Sequence, residues 1–116
     1  MGNNNKIPYE NIQRIESLEK KYGIEKMNIF AYTREKELVV NGEIFGESLK
    51  DEIEIICSVY NNDGDIIASA ENNSYSSGLV TSYIKPECFK GIFPFSINVR
   101  IPRGQRIGKI RVYPRK

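Results

Sequence analysis

Between Asp51 and Ala70 the chain reads Asp51-Glu-Ile-Glu-Ile-Ile-Cys-Ser-Val-Tyr60, then Asn-Asn-Asp-Gly, then Asp65-Ile-Ile-Ala-Ser-Ala70. Ile53, Ile55, Cys57 and Val59 alternate with Glu54, Ile56, Ser58 and Tyr60, and a period of two belongs to a strand with one face against a core. Asn-Asp-Gly tolerates the left-handed backbone of a tight reversal. The stretch therefore predicts the central hairpin of an all-β domain. It constrains the chain more than any other feature, because no residue cluster carries recognisable catalytic chemistry.

The flanking sequence repeats the pattern. Glu37 to Phe45 reads as a strand with Leu38, Val40 and Ile44 on one face; Gly42 inside it marks a bulge or a close backbone approach. Asn28 to Thr33 reads as an edge strand and Leu79 to Ile84 as a short one. Phe95, Ile97, Val99 and Ile101 point inward on the next long run, with pairing expected from Phe95 because Pro94 has no N–H to donate. Pro102-Arg103-Gly104-Gln105 reads as a tight turn with proline second, closing a final hairpin against Arg106 to Tyr113, where Ile110 and Val112 face inward.

Ahead of the strands, Ile12, Ile15, Leu18 and Tyr22 recur at helical spacing after Pro8, with Glu10–Arg14 and Glu16–Lys20 as favourable pairs. Gly23 is a natural left-handed stop, with Ile24 placed to fold back on Leu18. The organisation expected is a disordered lead over 1–7, an N-terminal helix over 8–26 and a sandwich over 27–116. The fold class is an immunoglobulin- or fibronectin-like antiparallel β-sandwich of about seven strands with one N-terminal α-helix.

The 116 residues fit one domain. No apolar run approaches a membrane span and the first residues lack the apolar centre of a signal peptide, so the chain reads as soluble and cytoplasmic. Cut from a longer exported protein, it would read as envelope-associated. Met1-Gly2 begins like a myristoylation site, but Lys6 stands where that motif needs Ser or Thr. Cys57 and Cys88 read as two reduced side chains; a single bridge and a reactive thiol are the competing readings, the last disfavoured in a chain with no histidine. Asn72-Asn73-Ser74 matches a glycosylation acceptor pattern and carries no weight without a secretion signal.

Val59-Tyr-Asn-Asn-Asp-Gly-Asp-Ile-Ile67, with Val40-Asn-Gly-Glu-Ile44 upstream and Phe95-Ser-Ile97 downstream, resembles the bacterial FxLYD-type domains, over roughly residues 36 to 113. The naming motif of that family is Phe-x-Leu-Tyr-Asp; this chain has Cys57-Ser58-Val59-Tyr60-Asn61 and shares the tyrosine. The resemblance implies a small immunoglobulin-like sandwich of envelope-associated proteins, acting as a noncatalytic accessory or interaction module.

Charge supplies the candidate site. Residues 88–116 hold eight basic and no acidic side chains, and residues 1–87 hold nine basic and fifteen acidic, so net charges of +8 and −6 share one chain whose total is +2. On the expected final hairpin Arg100, Lys109 and Arg111 share the outward face, with Arg103 and Arg106 at the turn and Tyr113 alongside. Such a surface suits a protein partner or an anionic surface, with nucleic acid as the alternative ligand. The competing reading is neutralisation by Glu43, Glu47, Glu52 or Glu54 as ordinary cross-strand pairs.

Other chemistry is weaker. Asn61, Asp63 and Asp65 alternate like the first ligands of a calcium loop, but Gly64 falls at position four rather than six and Asn72 at position twelve, and turn chemistry explains the same residues. Glu52 and Glu54 share a strand face as solvated neighbours rather than an acid–base pair, and no phosphate-binding glycine loop is present. The reading is therefore a noncatalytic binding module with no cofactor and no metal. A structural domain that pairs its strand edges in a homo-oligomer is a further alternative.

Overall fold

A computed structural model describes residues 5–76 and 79–116 and stacks two four-stranded sheets. The first runs in the order β1 (Asn5–Lys6), β3 (Lys26–Arg34), β4 (Glu37–Phe45), β9 (Ile92–Arg100). The second runs β2 (Ile12–Arg14), β10 (Lys109–Arg115), β5 (Glu54–Tyr60), β6 (Ile66–Glu71). A small hairpin, β7 (Ser74–Ser76) with β8 (Leu79–Thr81), follows β6, and one helix, α1 (Glu16–Tyr22), lies between β2 and β3. The expected all-β sandwich with a single helix is what forms. No helix among the described residues is long and apolar enough to cross a membrane.

The core sits between the sheets. Leu38, Val40 and Ile44 of β4, Ile97 of β9, Ile55, Cys57 and Val59 of β5, and Ile110 and Val112 of β10 are all 0% exposed. These are the inward positions that the period of two marks. The β5–β6 hairpin also forms, with a bulge where Tyr60 pairs with Ile66 and Val59 with Ala68. In its loop the Asn61 carboxamide oxygen accepts the N–H groups of Asp63 at 2.9 Å and Asp65 at 3.0 Å, and Gly64 takes φ 89°. The alternating oxygens are thus used as an Asx turn.

β5 differs from the expected one-faced strand, because Glu54, Ile56 and Ser58 are buried as well. Their neighbours cover them: Glu54 is ion-paired by Arg115 and accepts the Ser82 hydroxyl at 2.9 Å, and Ser58 lies 3.3 Å from the Tyr113 hydroxyl. Past the end of β6, Asn72 prolongs the ladder with its side chain. Its Oδ1 accepts the Ile55 N–H at 2.7 Å while its own N–H donates to the Ile55 carbonyl at 3.0 Å. At 1% exposure Asn72 has no room for a glycan, so the acceptor pattern there is accidental.

The N-terminal expectation needs correction. Residues 1–4 lie outside the described residues, but Asn5–Lys6 form β1 and Ile7 joins the core, so 5–7 are not a disordered lead. The helix does not begin at Pro8. Tyr9–Asn11 make a 3-10 turn, Ile12–Arg14 pair parallel with Ile110–Val112, and only Glu16–Tyr22 are α-helical. The free edge of β10 outcompetes a marginal helical stripe, because pairing satisfies the backbone of Ile12–Arg14 and still packs Ile12 against the core. Arg14 consequently binds Glu19, with Nε 2.9 Å from Oε2, instead of Glu10. The expected stop does form: Gly23 has φ 92° and the Ile24 N–H donates to the Glu19 carbonyl at 2.8 Å, a Schellman closure.

Gly42 makes no bulge, since pairing runs unbroken on both sides of it. A Cβ there would lie 2.4 Å from the Phe95 ring, so the glycine admits a close approach. β9 begins at Ile92 rather than Phe95. Ser96 turns its carbonyl away from β4 to accept the Asn73 N–H at 3.1 Å, and Pro94, two residues earlier, has its nitrogen on that same open side. The proline therefore costs the ladder nothing.

Candidate functional site

The final hairpin does not exist. β9 pairs along β4 in the first sheet and β10 along β5 in the second, so the segment between them crosses the end of the sandwich. Each strand is paired along its whole length in its own sheet, Ile92–Arg100 with β4 and Lys109–Arg115 with β5. The turn within the crossing puts Pro102 first, not second: the Gln105 N–H donates to the Pro102 carbonyl at 3.2 Å, with Gly104 at φ 83°. The six candidates, Arg100, Arg103, Arg106, Lys109, Arg111 and Tyr113, accordingly fall into two groups.

Lys109, Arg111 and Tyr113 stand on the outer face of the second sheet, opposite Tyr60, Ser58 and Ile56. The Arg111 guanidinium lies 5.5 Å from the centre of the Tyr60 ring and donates to Gln13 Oε1 at 3.1 and 3.3 Å. Lys109 Nζ is 5.7 Å from the same ring. The group is half-buried, and its polar atoms are engaged by Gln13, Ser58 and the Tyr60 ring, as suits a wall of the sheet.

Arg100, Arg103 and Arg106 converge at the end of the sandwich with two residues that the charge run of 88–116 does not include. Arg34 and Glu37 are paired across a two-residue loop, Glu35-Lys36. The Ile101 N–H donates to the Lys36 carbonyl at 2.9 Å and ties the crossing segment to that loop. Between them open two adjoining clefts. One, of about 460 Å³, has Ile7, Ile101 and Ile107 in its lining beside Arg103 and Arg106; the other, of about 660 Å³, is lined by Arg34, Glu35, Lys36, Glu37 and Arg100. Five cations thus surround two carboxylates. Among the described residues the one ion pair here is Arg34–Glu37, at 3.3 Å and exposed on both sides.

Neutralisation as cross-strand pairs is realised once, by Glu54 on Arg115 of the basic run; among the described residues no ion pair joins Glu43, Glu47, Glu52 or Glu54 to any of the six candidates. Glu43 stands opposite Pro94 rather than a basic residue. With Glu54 buried and Glu52 exposed, the two do not form a shared carboxylate surface either. The Cys57 thiol is free and lies in the core, and Cys88 is half-buried.

Arg34 and Lys36 escape a sequence reading because Arg34-Glu35-Lys36-Glu37 lacks the Asn-Gly of a two-residue hairpin loop. Glu35 supplies the left-handed residue instead, at φ 58°, a conformation that costs a non-glycine residue roughly 1 kcal/mol. The usable signal was two alternating runs separated by a short charged stretch. Comparison with protein-family models, with curated proteins and with solved structures found no match to this chain.

Proposed function

We propose that this domain is a noncatalytic binding module that takes an acidic protein segment at the loop end of the sandwich. The observation that carries the reading is the pair of adjoining clefts, rimmed by Arg34, Lys36, Arg100, Arg103 and Arg106 over an apolar floor of Ile7, Ile101 and Ile107. A basic rim around an apolar floor fits a carboxylate-bearing peptide with one aliphatic anchor, the rim steering it and the floor burying the anchor. Among the described residues neither cleft is lined by an aromatic side chain. Single-stranded nucleic acid, which is held by bases stacked on aromatic rings, therefore fits it less well. The resemblance to FxLYD-type modules points the same way, towards interaction rather than catalysis.

The test is fluorescence anisotropy with a labelled Glu-rich peptide carrying a central leucine, against the native chain and two double charge reversals. Arg103→Glu with Arg106→Glu lowers affinity about tenfold or more, as removing two steering charges from a rim does. Lys109→Glu with Arg111→Glu, on the outer face of the second sheet, leaves affinity within about twofold. The opposite ranking, or no binding at low salt, removes the reading; tighter binding of an oligonucleotide than of the peptide replaces it with the nucleic-acid alternative.

A further inference from the structure

The first sheet ends on two edges that are treated differently. On β9 the open side is met by Asn73, whose N–H bonds to the Ser96 carbonyl at 3.1 Å. On the other side β1 covers only one end of β3. Asn5 pairs with Thr33 and Lys6 with Tyr32, and the Ile7 N–H reaches the Ala31 carbonyl at 2.9 Å. Pro8 then leads the chain away.

The N–H and C=O of one residue point to the same side of a strand, and that side alternates along it. Ala31 turns its carbonyl towards β1, so Met27 and Ile29 turn theirs to the same side, where β1 no longer runs. Among the described residues no backbone group bonds to them there.

We propose that Lys26–Phe30 is the docking edge for a second copy of this chain, paired antiparallel about a two-fold axis through Asn28. Three features favour a second copy over an unrelated extended peptide. First, the axis sets Met27 opposite Ile29 of the second copy and Ile29 opposite its Met27. These are the residues with open backbone groups, and each pair exchanges both N–H···O bonds.

Second, the intervening pairs are Lys26 with Phe30 of the second copy, Asn28 with its own counterpart, and Phe30 with Lys26. Such non-hydrogen-bonded pairs bring side chains closest. Lysine over phenylalanine repeats across the axis a contact that Phe30 already makes with Lys6, whose Nζ is 5.3 Å from the ring centre. Two carboxamides facing each other supply donor and acceptor to both. Phe30, 47% exposed, gains the cover it lacks.

Third, the window matches its occupant in length. It is closed at one end by Ile7 and Pro8, and at the other the chain is drawn towards β4, the Glu25 N–H bonding to the Phe45 carbonyl at 2.8 Å. The inference does not rest on the basic clefts, but it has a consequence for them. Arg34 lies six residues from the axis, so two clefts would stand about 40 Å apart at opposite ends of the dimer.

An edge this short buries less than a standard interface, so association is weak and is sought at high micromolar to millimolar protein. Sedimentation velocity across that range, on the full chain, should show a dimer fraction rising with concentration. Asn28→Asp and Asn28→Lys, at an exposed side chain, should each weaken it about tenfold or more by setting like charges across the axis. An equimolar mixture of the two variants should recover dimer, since aspartate then meets lysine. A monomer throughout overturns the proposal. A dimer that ignores both substitutions, or a mixture no better than its components, overturns it too, by placing the contact elsewhere. Unchanged thermal melts of the variants show that a loss of dimer is not a loss of fold.

Discussion

β5 and β3 alternate in sequence in the same way and occupy opposite situations in the fold. β5 lies between β10 and β6 and is buried on both faces from Glu54 to Val59. β3 buries one face, shows Phe30 and Asn28 on the other, and leaves part of one edge uncovered. An alternating pattern specifies that a strand has an inner face; what lies on the outer face and along the edges depends on partners far away in the chain. Stability is therefore concentrated in β5, while β3 and the loop it makes with β4 are the parts of the first sheet free to meet something else.

Truncating the core face of β5 should give the largest effect. Ile55 is 0% exposed, and its N–H is the group that Asn72 binds from across the β6 edge. Ile55→Ala should cost about 2–5 kcal/mol, read from urea unfolding midpoints, because it removes buried methyl groups and leaves a cavity that rigid neighbours cannot close. A loss below about 1 kcal/mol would mean that the second sheet repacks as easily as the first, and the contrast between the strands would fail.

Cys57 gives an intermediate effect with a definite direction in pH. Burial pushes its thiol from 9.0 up to about 12. A folded value raised above the unfolded one contributes stability that is complete below pH 9 and is lost as pH rises towards 12, because the unfolded chain releases the proton first. At pH 10 the loss from this group is about 1.4 kcal/mol relative to pH 7. Unfolding curves at both pH values should show the native chain losing about that much more than Cys57→Ala, in which every other titrating group is unchanged. Equal losses would place the thiol in contact with solvent and remove the claim that β5 is sealed. β3 has no cysteine to make the same test.

The same contrast explains what the sequence revealed. The inward residues of β4, β5, β9 and β10, the turn after Tyr60 and the stop at Gly23 are local, since each follows from side chains within a few positions of one another. β2 is not local. Ile12, Ile15, Leu18 and Tyr22 satisfy a helical period as written, and only the bare edge of β10 makes Ile12–Arg14 a strand; Arg111 and Gln13, which meet across that pairing, are 98 residues apart. The assignment of β9 and β10 to different sheets was hidden for the same reason, because a proline turn between two alternating runs serves a hairpin and a crossing equally. Three of the five basic residues of the candidate site were therefore legible. Arg100, Arg103 and Arg106 announce themselves as an uncompensated basic run, whereas Arg34 and Lys36 sit among glutamates and join the cleft only when the β3–β4 loop folds over the crossing.

The smallest effect tests the exposed strand. Phe30 is a large apolar side chain on the outer face of β3, its ring 5.8 Å from that of Tyr32 and under Lys6. Burial contributes to stability in proportion to the area removed from water, and about half of Phe30 stays exposed, so Phe30→Ser should cost the monomer about 1 kcal/mol. The measurement belongs at low protein concentration, where association does not contribute. At high concentration the same variant should lose any stabilisation that the native chain gains by pairing β3 edges. A cost above about 2 kcal/mol at low concentration would mean that the outer face of β3 is held as tightly as β5, and that Phe30 is a structural residue of the monomer rather than a surface awaiting a partner.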